Sequence, residues 1–251
     1  METLKVAKDD AVATVILNRG KVNAISEQMV EELTDVFAEV KTDPATRAVL
    51  LMGTGKFFSF GFDIPEFLSY SREDFTRFLT RFSQLYTTVY LYPKPVVAAL
   101  NGHAIAGGCM LATACDYRLM VTGKAKISLN EIGFGSSVFA GSVAMLKACV
   151  GQRNAERILA TGAMLPAEEA LDMGLIDRKS SEEELPADAR NVALDFATRD
   201  AKAFESIKML LRTPIAEDWE RREPASVTEF VDIWYSESTW SQLQEIKIRG
   251  A

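Results

Sequence analysis

Short runs of β-branched and other apolar residues recur at 11–17, 48–52, 95–100 and 117–121, and each predicts a buried strand. Each run is followed by Gly, Asn or Asp and then by a longer stretch with helical spacing. After Ser26, the residues Val30, Leu33, Val36, Phe37 and Val40 share one face, so the serine reads as an N-cap and Asp43-Pro44 as the stop. Residues 73–90 place Phe75, Phe78, Phe82, Leu85 and Val89 on a similar stripe, and core packing is the plainer reading of it. From 182 onward the pattern is helical without strands, with Glu182-Glu183-Glu184 as a solvated helix start after Ser181. Strands alternating with helices predict an α/β fold, with a core over 1–190 and a helical region over 191–251.

All three tryptophans, Trp219, Trp234 and Trp240, lie in that last region beside Phe230, Tyr235 and Leu243. So small a helical tail cannot bury them alone, which predicts packing on the core or on a neighbouring subunit.

Composition narrows the function classes. At 251 residues the chain is long enough for one large domain, and 28 basic against 35 acidic residues leave a net charge of −7. Without a Lys/Arg-rich run, a nucleic-acid surface is disfavoured. Cys109, Cys115 and Cys149 form no C-x-x-C pair and read as buried reduced thiols. One histidine and scattered acids supply no metal-ligand set. The start Met1-Glu2-Thr3-Leu4-Lys5 lacks a secretory pattern, the end Ile248-Arg249-Gly250-Ala251 is not a peroxisomal address, and no apolar run spans a bilayer. The expectation is a cytoplasmic protein, with neither membrane nor nucleic acid as partner.

Two segments look built for chemistry. In Phe58-Ser59-Phe60-Gly61-Phe62-Asp63-Ile64 a glycine turn presents bare backbone to a ligand. In Asn101-Gly102-His103-Ala104-Ile105-Ala106-Gly107-Gly108-Cys109-Met110 a strand leads into an Ala/Leu-rich helix whose first N–H groups lack intrahelical partners. Such a terminus plus one N–H from another turn makes a two-donor site for an oxyanion. Close packing also explains a Gly-Gly pair at a strand–helix junction, so these glycines alone leave both readings open.

The order of the segments adds a resemblance. Phe58-Ser59-Phe60-Gly61-Phe62-Asp63-Ile64, the strand from Pro95 through Asn101-Gly102-His103-Ala104-Ile105-Ala106-Gly107-Gly108-Cys109, then Cys115-Asp116-Tyr117-Arg118 and Leu129-Asn130-Glu131-Ile132-Gly133-Phe134-Gly135 resemble the crotonase (enoyl-CoA hydratase/isomerase) family. Gly151-Gln152-Arg153-Asn154 and Ala170-Leu171-Asp172-Met173-Gly174-Leu175 match as well, and the likeness weakens only after about Pro186. The resemblance implies a crotonase-like spiral of ββα units with a C-terminal helical trimerisation region, an acyl-CoA substrate bringing coenzyme A with no separate cofactor, and a homotrimer or dimer of trimers.

It also implies site residues. The oxyanion donors map to the backbone N–H groups of Phe62 and Gly107, and Lys21-Val22-Asn23-Ala24 resembles an early CoA-binding turn, with Lys21 near a phosphate and Ala24 near the adenine. Phe60, Asp63, Ile64, Met110, Phe134 and Phe139 are expected to contact substrate, and Phe134, Val138 and Phe139 to desolvate Glu131. Family hydratases carry a glutamate just after Gly-Gly-Cys and a second in the later turn; this chain has Met110 at the first position and Glu131 at the second. One base beside two donors suffices to move a double bond, so the pattern resembles the Δ3,Δ2-enoyl-CoA isomerase branch. Hydration, hydrolysis, decarboxylation or dehalogenation of a CoA thioester, and a catalytically idle acyl-CoA binder, are the alternatives. For His103 a packed or hydrogen-bonded loop histidine is expected, and for Asp116 and Arg118 structural hydrogen bonds after the helix.

Overall fold

The computed structural model describes residues 1–246, so the terminal residues 248–251 read above lie outside the described residues. β1 (Leu4–Asp9) pairs antiparallel with β2 (Val12–Leu17), and helix α1 (Glu27–Thr42) follows. Ser26 caps α1 by accepting from Met29 N, and all five residues of the predicted stripe are buried.

From here the chain repeats one pattern. β3 (Ala48–Gly53) leads through β4 (Phe57–Ser59) into the short α2 (Ile64–Phe67) and the long α3 (Arg72–Tyr90). β5 (Val96–Leu100) leads through β6 (His103–Ile105) into α4 (Gly107–Ala114). β7 (Tyr117–Val121) leads through β8 (Ile127–Ser128) and the 3-10 turn Glu131–Phe134 into α5 (Ala140–Thr161). Each repeat sends its first strand to one sheet and its second to another, so two parallel arrays grow side by side: β2-β3-β5-β7 in the large sheet and β4-β6-β8 in the small one. This is the ββα spiral, an α/β fold.

The remaining elements are α6 (Ala167–Asp172), β9 (Arg178–Ser180) at the large sheet's edge, α7 (Leu185–Ala197), α8 (Ala201–Trp234) and α9 (Glu237–Glu245). α7 lies across β2, β3, β5 and β7, so the boundary drawn at 190 falls inside a helix that belongs to the core. The acidic triplet 182–184 occupies the turn before α7 rather than its first turn, and Ser181 Oγ accepts from Glu184 N at 3.2 Å.

Two of the three tail tryptophans pack within the chain itself. α8 packs along α3, where Trp234 meets Phe75 at 4.6 Å between ring centroids and Trp219 meets Tyr90 at 4.8 Å. Trp219 and Trp234 are fully buried against the core, one of the two placements expected for the tail, while Trp240 is half-buried and stacks on Tyr235 at 5.0 Å. Cys109 and Cys115 are buried free thiols, while Cys149 is only half-buried. Among the described residues no helix is long and apolar enough to cross a membrane, and no group of His, Cys, Asp and Glu is placed to hold a metal ion.

Charge also locks α8 to the core. Asp116, after α4, accepts from Val96 N at 2.7 Å and pairs with Lys208 at 2.7 Å and Arg212 at 3.1 Å. Burial holds the Lys208 ammonium down to about 8, against the pull of Asp116. Asp116→Ala leaves that ammonium buried beside Arg212 with no counter-charge, and is expected to cost about 3 kcal/mol in urea denaturation. A loss below about 1 kcal/mol would show that Arg212 and Lys208 relax into solvent instead.

Candidate active site

Two turns meet where the repeats wind past one another. Gly61 has φ 97°, and a Cβ built there would stand 2.9 Å from Ile105 O and 3.2 Å from Gly107 N. Only a glycine brings these backbones so close in that conformation. Ser59 Oγ donates to Asn23 O at 2.8 Å and accepts from Gly61 N at 3.1 Å, so the turn around Asn23 holds the Gly61 turn.

This bracing aims the Phe62 amide. Ile25 N donates to Gly61 O at 2.8 Å and Asp63 N donates to Ile25 O at 3.0 Å, so the intervening Phe62 N–H points away from Ile25. It finds no acceptor among the described residues, and neither does Gly107 N at the start of α4. The Phe62 ring is anchored by the α3 stripe, 5.2 Å from Phe78 and 4.9 Å from Phe82, so the stripe read as core also fixes a backbone donor.

Ala106, just before Gly107, adopts φ 50° and ψ −119°, a strained conformation for a residue with a Cβ. It is held from both sides: its N–H donates to Ser128 O at 2.8 Å and its carbonyl accepts from Met110 N at 3.0 Å. Strain of this kind persists only where the surroundings impose it, and here it turns the chain from β6 into α4.

Beside these turns lies a cavity of about 340 Å³ with an almost wholly apolar wall. Phe57, Phe60, Phe62 and Ile64 come from the segment from β4 into α2, Ile105 and Ala106 from the junction of β6 and α4, Phe230 and Trp234 from α8, and Ile246 from just after α9. Glu131 is the one carboxylate that lines it among the described residues. The side chain is 3% exposed, and neither carboxylate oxygen has a hydrogen-bond partner. Burial raises its pKa to about 8. Asn130 Oδ1 and Trp234 Nε1 are likewise buried and unpartnered in residues lining the same cavity.

Of the residues singled out in the sequence, Glu131, Phe60, Phe62, Ile64 and Phe134 line the cavity. Gly107 follows the lining residue Ala106, with the Phe62 ring 3.1 Å from where its Cβ would be. Phe139 stands behind the wall, packed on Phe230 at 4.6 Å. Met110 is buried within α4 and does not line the cavity. Asp63 faces away: it pairs with Arg19 at 2.5 Å and caps α2, because a carboxylate at a helix start is held by the N–H groups there. Lys21, Val22 and Ala24 also lie off the cavity; Lys21 is exposed, Val22 O accepts from Phe60 N at 2.9 Å, and Ala24 is buried.

His103 sits on strand β6 rather than in a loop, with its ring 5.0 Å from Phe57 at the cavity wall, and burial lowers its pKa, aided by Lys126. Arg118 and Asp116 make structural bonds, Arg118 to Leu175 O at 2.9 Å, Cys115 O at 2.9 Å and Asp177 at 3.0 Å. Sequence reasoning missed Asn23, Arg19, Met164, Phe230, Trp234 and Ile246. Asn23 was named only as part of a turn, and its role as a brace, with φ 48° and a side chain donating to Thr54 O and Phe57 O, shows in the structure; the others carried no signal short of the fold.

With the geometry in place, likeness to known proteins becomes informative. The sequence model of the enoyl-CoA hydratase/isomerase family matches residues 7–240. A probable enoyl-CoA hydratase of Bacillus subtilis is 30% identical over 246 residues, covering 97% of this chain and 95% of that protein. The carnitinyl-CoA dehydratase of Escherichia coli is 29% identical, covering 94% and 92%. The crystal structure of human mitochondrial Δ3,Δ2-enoyl-CoA isomerase superposes with a TM-score of 0.92 at 27% identity, covering 97% of this chain and 96% of that one.

Proposed function

The chain belongs to the enoyl-CoA hydratase/isomerase family, and on that premise we propose that it is a Δ3,Δ2-enoyl-CoA isomerase working with one carboxylate, Glu131. The observation that carries this reading is the cavity wall, where Glu131 is the single carboxylate among the described residues and has both oxygens free. A 3-enoyl thioester loses a proton from C2 to the Glu131 carboxylate, electrons move into the thioester carbonyl, and the dienolate oxygen accepts from the N–H groups of Phe62 and Gly107. The protonated Glu131 then returns the proton at C4, giving the 2-enoyl thioester. Burial that raises the carboxyl pKa suits it to taking a weakly acidic carbon proton.

Hydration of a 2-enoyl-CoA, as the names of the Bacillus relative and others suggest, asks for more: one group to activate water and another to protonate the neighbouring carbon. Met110 stands where family hydratases place their other glutamate, and a thioether performs neither task. Coenzyme A comes with the substrate, and the chemistry calls on no separate cofactor. A closed homo-oligomer, trimer or dimer of trimers, is part of the proposal, supported by the resemblance and by the exposed apolar residues Ile207, Leu210 and Leu211 on α8.

The test is a side-by-side absorbance assay with 3-enoyl-CoA and 2-enoyl-CoA substrates of several chain lengths. The expected result is conversion of the first class to the second with little 3-hydroxyacyl-CoA from either. Brisk hydration would remove the isomerase assignment.

A further inference from the structure

The Glu131 carboxylate finds no hydrogen-bond partner outside its own residue, so its place is set by the backbone beneath it. That backbone is loosely moored. Within residues 130–136 the hydrogen bonds are local: Gly133 N to Asn130 O, Gly135 N to Ile132 O and Ser136 N to Glu131 O. Among the described residues, one hydrogen bond joins this segment to another part of the chain: Thr239 Oγ1 donates to Gly135 O at 2.7 Å.

Thr239 is well placed for the task. It lies in the first turn of α9, is 2% exposed, and its own N–H donates to the capping Ser236 Oγ at 3.4 Å. α9 lies directly against the turn: a Cβ added at Gly135 would be 3.1 Å from Gln242 Nε2 and 3.3 Å from Thr239 Oγ1. Gly135 has φ 74° and ends the 3-10 turn that Glu131 begins. The same helical hairpin supplies Trp234, Phe230 and Ile246 to the cavity wall.

We propose that Thr239 is a positioning residue for Glu131: its hydroxyl pins the turn that carries the carboxylate, so that docking of α9 sets where the base stands in the cavity. This inference rests on the reading of Glu131 as the base. It joins two tasks in one element, since the hairpin that walls off the acyl cavity also moors the reacting group. A base displaced by a fraction of an ångström loses alignment with the C2 proton, and such misplacement costs rate rather than affinity.

The groups that bear on Glu131 are few. α4 presents the Cys109 thiol and β6 presents His103 across the cavity; α8 and the end of α9 present Phe230, Trp234 and Ile246, and α5 meets the turn through Gly162 against Ile132. Loosening α9 therefore exposes Glu131 to water without bringing a new charge to it.

The experiment compares Thr239→Val, Thr239→Ala and Thr239→Ser with wild type and Glu131→Gln, all in the full chain. It measures kcat and KM for 3-enoyl-CoA, and titrates Glu131 by carbon NMR of the labelled carboxyl. Removing the hydroxyl is expected to lower kcat about tenfold with KM within about twofold, and to move the Glu131 titration toward lower pH. Thr239→Ser keeps the donor and is expected to restore both. Wild-type kcat and titration in Thr239→Val and Thr239→Ala overturn the inference, as does equal impairment of Thr239→Ser, which would assign the effect to packing. Full turnover in Glu131→Gln would instead overturn the base reading, while the carboxyl titration still reports whether Thr239 holds the turn.

Discussion

Glu131→Gln is expected to lower isomerisation of 3-enoyl-CoA roughly a thousandfold while leaving the affinity for CoA thioesters close to wild type. The amide keeps the shape of the side chain in its apolar pocket but accepts no proton from carbon. Two pH effects accompany the loss. In the wild type, kcat/KM should climb as pH rises through about 8, because burial holds the carboxyl protonated below that point and only the carboxylate is a base. For stability the sign is opposite. A carboxyl whose folded pKa is raised from 4.5 to about 8 contributes stability that is fully present below pH 4.5 and lost as pH rises through about 8. Glu131→Gln carries no such charge, so its stability should exceed that of the wild type most at alkaline pH, as urea titrations at several pH values would show. Undiminished turnover, or an unchanged pH limb, would rule Glu131 out as the base.

Gly107→Pro is the second large effect, with turnover expected to fall by about two to three orders of magnitude as one of two donors to the dienolate oxygen disappears. Proline suits the first position of a helix, since the missing N–H has no intrahelical partner there. The Phe62 ring, 3.1 Å from where a Cβ at Gly107 would stand, must give way a little in this variant. Gly107→Ala keeps the N–H and introduces the same crowding, so it separates the two causes. A folded Gly107→Pro with normal turnover would show that the oxyanion lies elsewhere; equal damage in both variants would assign the loss to displacement of Phe62.

How far these elements could be read beforehand follows from the kind of information each carries. β2, β3, β5 and β7 lie inside a parallel array, so their sequences are almost continuous apolar runs that stand out from the chain. β1 is exposed at five of its six positions and shows no such run. β4, β6, β8 and β9 span three, three, two and three residues, too short for a period to register, and they exist because the spiral brings distant backbones together. α1 was legible through its Ser26 cap as well as its stripe, whereas α3 was read from its stripe alone and starts at Arg72, after Ser71, which accepts from Asp74 N.

Within the site, Glu131 and the two glycine turns were visible through local motifs. The far wall was not. Phe230 and Trp234 read as core aromatics of a helical tail, and nothing near them in sequence says that α8 folds back over the turn bearing Glu131. Asp63 misled for a related reason: next to a functional turn a carboxylate looks chemical, yet the helix start and Arg19 claim it. Lys21 was placed at a phosphate by resemblance alone, and it stands exposed, off the cavity, in a turn tied by Arg19 and Asn23.

If one carboxylate performs both proton transfers, label transfer between C2 and C4 shows it most directly. A 3-enoyl-CoA carrying deuterium at C2 is turned over in ordinary water, and the 2-enoyl product is analysed for deuterium at C4. Glu131 is 3% exposed, so the acid formed at C2 should return part of its label to C4 before exchanging with solvent, and product deuterated at C4 is the predicted result. Product free of deuterium at C4 under single-turnover conditions would mean that water or a second group delivers that proton, and the single-base account would fail.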